Sequence, residues 1–272
     1  AILAALDTEA FIERACEVGQ ALWTGDEEAL AVLAQQCGKA TDAATRERLA
    51  AGNAARDKLN HYSAAMFYYG GEWYWGVDRL YHLEQRLRAL GADSEPDAPL
   101  LVPRPEIEPP VLRDNGSLTL EIYPSLRSPY TAISFDRAVR LARESGVNLV
   151  VRPVLPMVMR GVPATRQKGM YIFWDTAREA RAAGGPFGNF YDPIGDPARR
   201  GYSLFAWASQ QGKGIELISA FLRCAFVEGI NIDRQRGMQA VVEQAGLEWS
   251  EAKKIVGQPG WEAALESNRL AM

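Results

Sequence analysis

Ser128, Pro129 and Tyr130 stand where an alternating apolar stretch (Leu118, Leu120, Ile122) meets a segment with helical spacing (Ile133, Phe135, Val139, Ala142). Serine is a preferred N-cap. Proline suits the first helical position because its φ is preset and its missing N–H would have had no intrahelical partner. The local pattern is therefore a helix start, and a helix start has chemistry of its own. Its partial positive charge and free N–H groups stabilise an anion placed beside them. A serine hydroxyl is too weak an acid to be that anion, and no histidine lies near in sequence to activate it as a nucleophile.

Other reactive side chains are sparse. The three cysteines, Cys16, Cys37 and Cys224, form no C-x-x-C pair, and His61 and His82 are the only histidines. This argues against a zinc site, a disulfide framework and a dithiol redox centre, and no metal is expected. His61 reads as a partly buried hydrogen-bonded residue. His82 falls on the polar helix face with Arg79 and Arg86. Arg127 and Arg160 lie close to the strand ends where open α/β sheets bind ligands. The aromatics Tyr171, Phe173, Trp174, Phe187, Phe190 and Tyr191 could line an apolar pocket, but such residues are more often core.

The elements that must position these residues follow from periodicity. From Asp7 to about Asn60 the pattern is helical, with Phe11, Ala15, Val18 and Leu22 on one face and two further helices after it. "AAMFYYGGEWYWG" reads as a β-hairpin turning at Gly70 and Gly71, which tolerate the positive φ of a type I′ or II′ turn. Val77, Leu80, Leu83, Leu87 and Leu90 then mark a helix ending before Gly91. Residues 92–115 hold six prolines and many acids and read as a linker and domain boundary. Beyond it, "SLTLEIYP" predicts a strand, 129–145 a helix and "VNLVVRPVL" a fully buried strand, a βαβ unit with a parallel pair. From Ala164 the chain is mostly helical, with a loop at "AAGGPFGNFYDPIGDPARRGY" and turns at "EGINIDRQ" and "GQPG".

At its motifs the chain resembles the DsbA-like thioredoxin family, within it the branch of 2-hydroxychromene-2-carboxylate isomerases and kappa-class glutathione transferases. "SPYT" at 128–131 sits where DsbA proteins have C-P-x-C and the isomerase branch has S-P-Y. "GGEWYWGVDRL" at 70–80 looks like the family's hairpin followed by W-G-x-D-R-L. Lys168, Tyr171 and Asp175 match the spacing of the branch's K-x-x-Y-x-x-x-D helix, whose lysine helps hold glutathione. The resemblance implies a thioredoxin-like α/β fold with a large helical insertion, here tandem and truncated at both ends. Residues 1–91 would be the C-terminal half of a first domain, and 116–272 the first part of a second. A permuted composite sheet, with 64–91 packed onto 118–155, is the alternative arrangement.

The resemblance implies glutathione as cosubstrate. Ser128 would donate a hydrogen bond to its sulfur and lower the thiol pKa in the helix field, with Pro129, Tyr130, Lys168, Arg127 and Asp78 as ligand contacts. Asp78 would meet the amino group of the γ-glutamyl part. Two departures weaken this. The branch has an Asn-Pro pair before its lysine, absent from "MVMRGVPATRQ", and Ala65 stands where the family has a cis-proline. The expected activity is isomerisation or conjugation of a small aromatic electrophile. The rivals are a thiol-disulfide oxidoreductase, disfavoured because exchange needs an attacking and a resolving sulfur, and a non-catalytic binding protein.

Composition bounds the partners. The chain has 272 residues, a formal net charge of -4 and a pI near 5.4, which offers no basic field to nucleic acid. No apolar run approaches a membrane span and the first residues lack the order of a signal peptide, so a cytoplasmic chain without membrane contact is expected. The expected partners are a small-molecule thiol and an electrophile, with a homodimer as an allowed assembly.

Overall fold

The computed structural model describes residues 1–106 and 111–272 and divides into two compact units, Ala1–Ala64 and Ala65–Met272. The part of the proline-rich segment at 107–110 lies outside the described residues.

The first unit is helical: α1 (Ile2–Ala5), α2 (Thr8–Thr24), α3 (Glu27–Cys37) and α4 (Asp42–Lys58). Side-chain oxygens of Asp7, Asp26 and Thr41 cap the three long helices by accepting the N–H of Ala10, Ala29 and Ala44. Its small core joins Val18, Ala21 and Leu33. The expected α2 face is corrected here. Phe11 is 44% and Leu22 59% exposed, because the buried stripe passes through Val18 and Ala21 and so leaves those two residues to the side.

The second unit opens with the hairpin, β1 (Met66–Tyr69) and β2 (Glu72–Trp75), paired antiparallel with Tyr69 opposite Glu72. Gly70 and Gly71 have φ of 55° and 87°, the two left-handed positions that a type I′ turn requires. A 3-10 turn (Val77–Arg79) leads into α5 (Leu80–Ala89). The following residues fold back on α5. The Leu101 and Val102 amides donate to the Glu84 carboxylate, and Arg88 pairs with Asp93 at 2.8 Å.

The βαβ unit forms as its periodicity predicts: β3 (Thr119–Ile122), α6 (Pro129–Ser145) and β4 (Asn148–Val151), with Thr119 opposite Asn148 in a parallel ladder. Strand β4 is half-buried rather than fully buried, since β3 is its one partner strand among the described residues. The hairpin and the parallel pair are separate two-stranded sheets within this one unit. Helices α7 (Arg166–Ala182), α8 (Asp196–Gln210), α9 (Gly214–Phe226), α10 (Gln235–Gln244), α11 (Trp249–Ala252) and α12 (Glu262–Ala271) complete the unit. Helix α8 begins inside the segment expected to be loop, because Pro197 is tolerated in the first helical turn.

The core of this unit lies among α8, α9 and α10, where Tyr202, Leu204, Phe221, Phe226 and Met238 are almost fully buried, with Phe135 of α6 and Leu126 packed in. Gly201 permits this approach. A Cβ there would lie 2.6 Å from the Phe221 ring and 2.8 Å from Leu126. No helix among the described residues is long and apolar enough to cross a membrane.

Candidate functional site

Ser128 caps α6, its Oγ accepting the Thr131 N–H at 3.2 Å, and Pro129 occupies the first turn. The Ser128 N–H closes a turn onto the Ser125 carbonyl at 3.0 Å. The oxygen is therefore an acceptor toward its own helix, while the hydroxyl hydrogen is still available to donate. Ser128 is half-buried at the head of a 17-residue helix.

The turn before it is held from below by Tyr202. This buried hydroxyl accepts the Leu126 N–H at 3.0 Å and donates to the Val154 carbonyl at 2.6 Å, so one side chain ties the segment after β3 to the segment after β4. Burial pushes the Tyr202 phenol well above its ordinary range, which keeps it a neutral donor. Arg127, the neighbour of Ser128, forms a two-pronged pair with Asp192, both bonds at 2.7 Å.

Tyr130 faces a different partner. Its hydroxyl donates to Asp175 Oδ2 at 2.7 Å, and the Asp175 side chain has no exposed surface. The same carboxylate accepts Arg79 Nε at 3.0 and 3.1 Å, Arg79 Nη2 at 3.0 Å, Arg178 Nη2 at 2.9 Å and the Tyr171 hydroxyl at 3.3 Å. Burial alone would raise the Asp175 carboxyl. The two guanidinium groups and the tyrosine bond outweigh it and hold the carboxyl below its ordinary value. For Tyr130 the balance runs upward, through burial first and then the adjacent carboxylate, so its proton stays on.

One turn further along α7, Glu179 makes a second cluster. It accepts the Tyr81 hydroxyl, lies 2.7 Å from His82 Nε2 and pairs with Arg79 at 3.4 Å and Arg104 at 3.3 Å. Burial opposes its ionisation, but these partners hold its carboxyl down to about 2, and burial with Glu179 pushes the Tyr81 phenol up to about 12. His82 is thereby a buried residue and not part of a polar surface face, a correction whose cause is the acid on α7 that the helix pattern of α5 cannot reveal.

The motif residues thus meet in part. Arg79 of "WGVDRL", Tyr130 of "SPYT", and Tyr171 with Asp175 of the α7 motif converge on one carboxylate. Lys168 is half-buried in the first turn of α7, on the face it shares with Tyr171 and Asp175 by helical spacing, and its own N–H is capped by the Thr165 hydroxyl at 3.2 Å. Asp78 is exposed beside Arg79, whose Nη1 donates to the Asp78 carbonyl at 3.2 Å. Asp78, Arg79, Tyr81 and Glu179 border an open groove of about 1480 Å³ with α6 and α9, a groove that Ser128 and Lys168 do not line. Arg160 is exposed at the end of a 3-10 turn.

The aromatic residues divide. Phe173 makes tilted ring contacts with Phe187 and Phe190, and these two meet buried Phe226; Phe187 packs against the core, whereas Phe190 is 42% exposed. Trp174 is 61% exposed. Ala65 adopts φ 55°, unusual for a residue with a Cβ, and His61 is buried with Nδ1 accepting the Ser63 N–H at 3.1 Å.

Tyr202, Asp192, Arg178 and Glu179 carry much of the site's geometry and were not singled out by sequence reasoning. For Glu179 a signal existed: Asp175, Arg178 and Glu179 lie at three- and four-residue spacing on one helix face.

No family model matches the chain, and no curated protein does. Solved structures do. The chain is similar to a 2-hydroxychromene-2-carboxylate isomerase at 18% identity, over 57% of this chain and 78% of that one, with a TM-score of 0.48. It is also similar to a probable DsbA oxidoreductase from Streptomyces coelicolor at 18% identity, over 57% of this chain and 74% of that one, with a TM-score of 0.42.

Proposed function

We propose that the second unit binds a thiol, glutathione by resemblance, at the N-terminus of α6 and directs it at a small aromatic electrophile, by conjugation or isomerisation. One observation supports this reading: Ser128 caps α6 with its oxygen as the acceptor, so its O–H could donate to a ligand. A thiolate sulfur there would accept that hydrogen and lie in the field of the helix, both of which favour ionisation of the thiol. Tyr130 is committed to Asp175 and Arg127 to Asp192, so the sulfur donor on this reading is Ser128. Lys168 and Asp78 are the candidate contacts for the carboxylate and the amino group of the tripeptide.

Disulfide exchange at this turn lacks its chemistry, since positions 128 and 131 are serine and threonine, and Cys224 is fully buried, its thiol pushed up to about 12 by burial and Glu228. The second reading is a non-catalytic binding protein. It is favoured by the mutual pairing of Arg79, Tyr130 and Asp175, which leaves those groups facing each other.

The experiment is a titration of the full chain with glutathione, following thiolate absorbance against pH. A bound sulfur that ionises below the free thiol, with the shift lost in Ser128→Ala, is the expected result. Absence of binding would leave Ser128 a helix cap and favour the second reading.

A further inference from the structure

The buried apolar cluster of the second unit is built from residues between Leu126 and Leu265 and contains no member of the hairpin or α5. That segment is joined to α7 largely by polar groups. Arg79 lies on Asp175 and Glu179, Tyr81 and His82 bond Glu179, and Arg178 reaches back to the Trp73 carbonyl at 3.1 Å and lies 4.5 Å over the Tyr74 ring. The Trp75 and Tyr171 rings add an aromatic contact at 5.6 Å. Buried polar networks are strong when every member is present and costly when one is lost, so losing one member of this joint should loosen the rest.

The carboxylate at the centre of this joint is also the one that holds the first turn of α6. Asp175 Oδ2 accepts both Arg79 Nη2 and the Tyr130 hydroxyl. We propose that segment 66–89 is a clamp on the N-terminus of α6, its seating through Arg79 coupled by Asp175 and Tyr130 to the order of the turn that carries Ser128. Loss of Arg79 leaves the carboxylate free to turn toward Arg178 and away from Tyr130. By reciprocity, loss of the Tyr130 bond must weaken the hold on Arg79 by the same factor. The clamp makes no use of a ligand, so it stands or falls separately from thiol binding.

Hydrogen exchange on the ligand-free full chain tests it. Arg79→Lys keeps the charge but loses the planar fork that matches a carboxylate. Exchange should rise about tenfold or more in peptides covering 66–89 and also in the peptide 128–135, as for the loss of a charge-assisted hydrogen bond. Tyr130→Phe alters no atom of the clamp, yet should raise exchange in 66–89, while α8 to α10 keep wild-type rates in both variants. The proposal is overturned if Arg79→Lys loosens 66–89 alone and Tyr130→Phe leaves 66–89 unchanged. It is equally overturned if α8 to α10 loosen together with the hairpin, since Arg79 would then support the whole unit.

Discussion

Tyr130 donates to Asp175 at 2.7 Å, and Asp175 is the same carboxylate that Arg79 grips from the far side of the proline-rich segment. The first turn of α6 is thereby tied to an acid on α7.

Replacing Asp175 by asparagine should therefore be costly. It keeps the shape but leaves Arg79 and Arg178, 20% and 16% exposed at their side chains, without their buried counter-charge. Breaking such a pair costs about 3 to 5 kcal/mol. A urea unfolding curve for the variant should show this loss. A change below about 1 kcal/mol, the range of surface pairs, would mean the network is solvated.

Acid should weaken the α5 contact over a definite window. Glu179 ionises at about 2 in the folded chain against 4.5 ordinarily, so its stabilising contribution is fully present above the ordinary value and is lost as pH falls from there toward about 2. The groups facing it are Tyr81, His82 and Arg79 from the 3-10 turn and α5, and Arg104. Asp175 shifts in the same direction. Wild type should lose stability between about pH 4.5 and 2 more steeply than Glu179→Gln. Equal slopes would remove Glu179 from the account.

Tyr202→Phe removes one hydroxyl and leaves the Leu126 N–H and the Val154 carbonyl without it. The expected loss is about 1 to 3 kcal/mol. Faster exchange of the Leu126 amide, measured by NMR, would place the effect at the turn before Ser128.

Gly201→Ala sets helix propensity against packing. Alanine gains about 1 kcal/mol in a helix interior, but its Cβ would lie 2.6 Å from the Phe221 ring and 2.8 Å from Leu126, so these two buried side chains must shift. Overpacking of this kind costs about 1 to 3 kcal/mol, so the variant should be less stable. A melting temperature equal to or above wild type would contradict this.

Local chemistry made several features legible in advance: the Gly70–Gly71 turn, the Ser128 cap with Pro129, the parallel β3–β4 pair, and the limits of α6. The turn and the helix limits are decided within a few residues, and the parallel pair follows from the strand–helix–strand order. The partners of Arg79 and His82 were not legible, because Asp175 and Glu179 lie nearly a hundred residues away and nothing in α5's own pattern distinguishes a solvated arginine from a buried one. The weight that sequence placed on Asp78 and Lys168 followed their motifs, whereas the hydrogen bonds of the structure converge on Arg79 and Asp175. Burial of β4 was overestimated because an apolar run records what a strand can bury and not how many strands flank it.

The central claim is that Ser128 acts as a donor to a bound sulfur as well as a cap. Three replacements separate those roles: threonine keeps both, aspartate keeps the cap without a neutral donor, and alanine loses both, with about 1 kcal/mol of helix stability. The most direct measurement is the thiolate absorbance of glutathione bound to the full chain, recorded against pH for wild type and these variants. A sulfur pKa below the ordinary thiol value of about 8.5, preserved in Ser128→Thr and lost in both Ser128→Asp and Ser128→Ala, is the predicted result. An unshifted sulfur in wild type, or a shift that survives in Ser128→Ala, would contradict it.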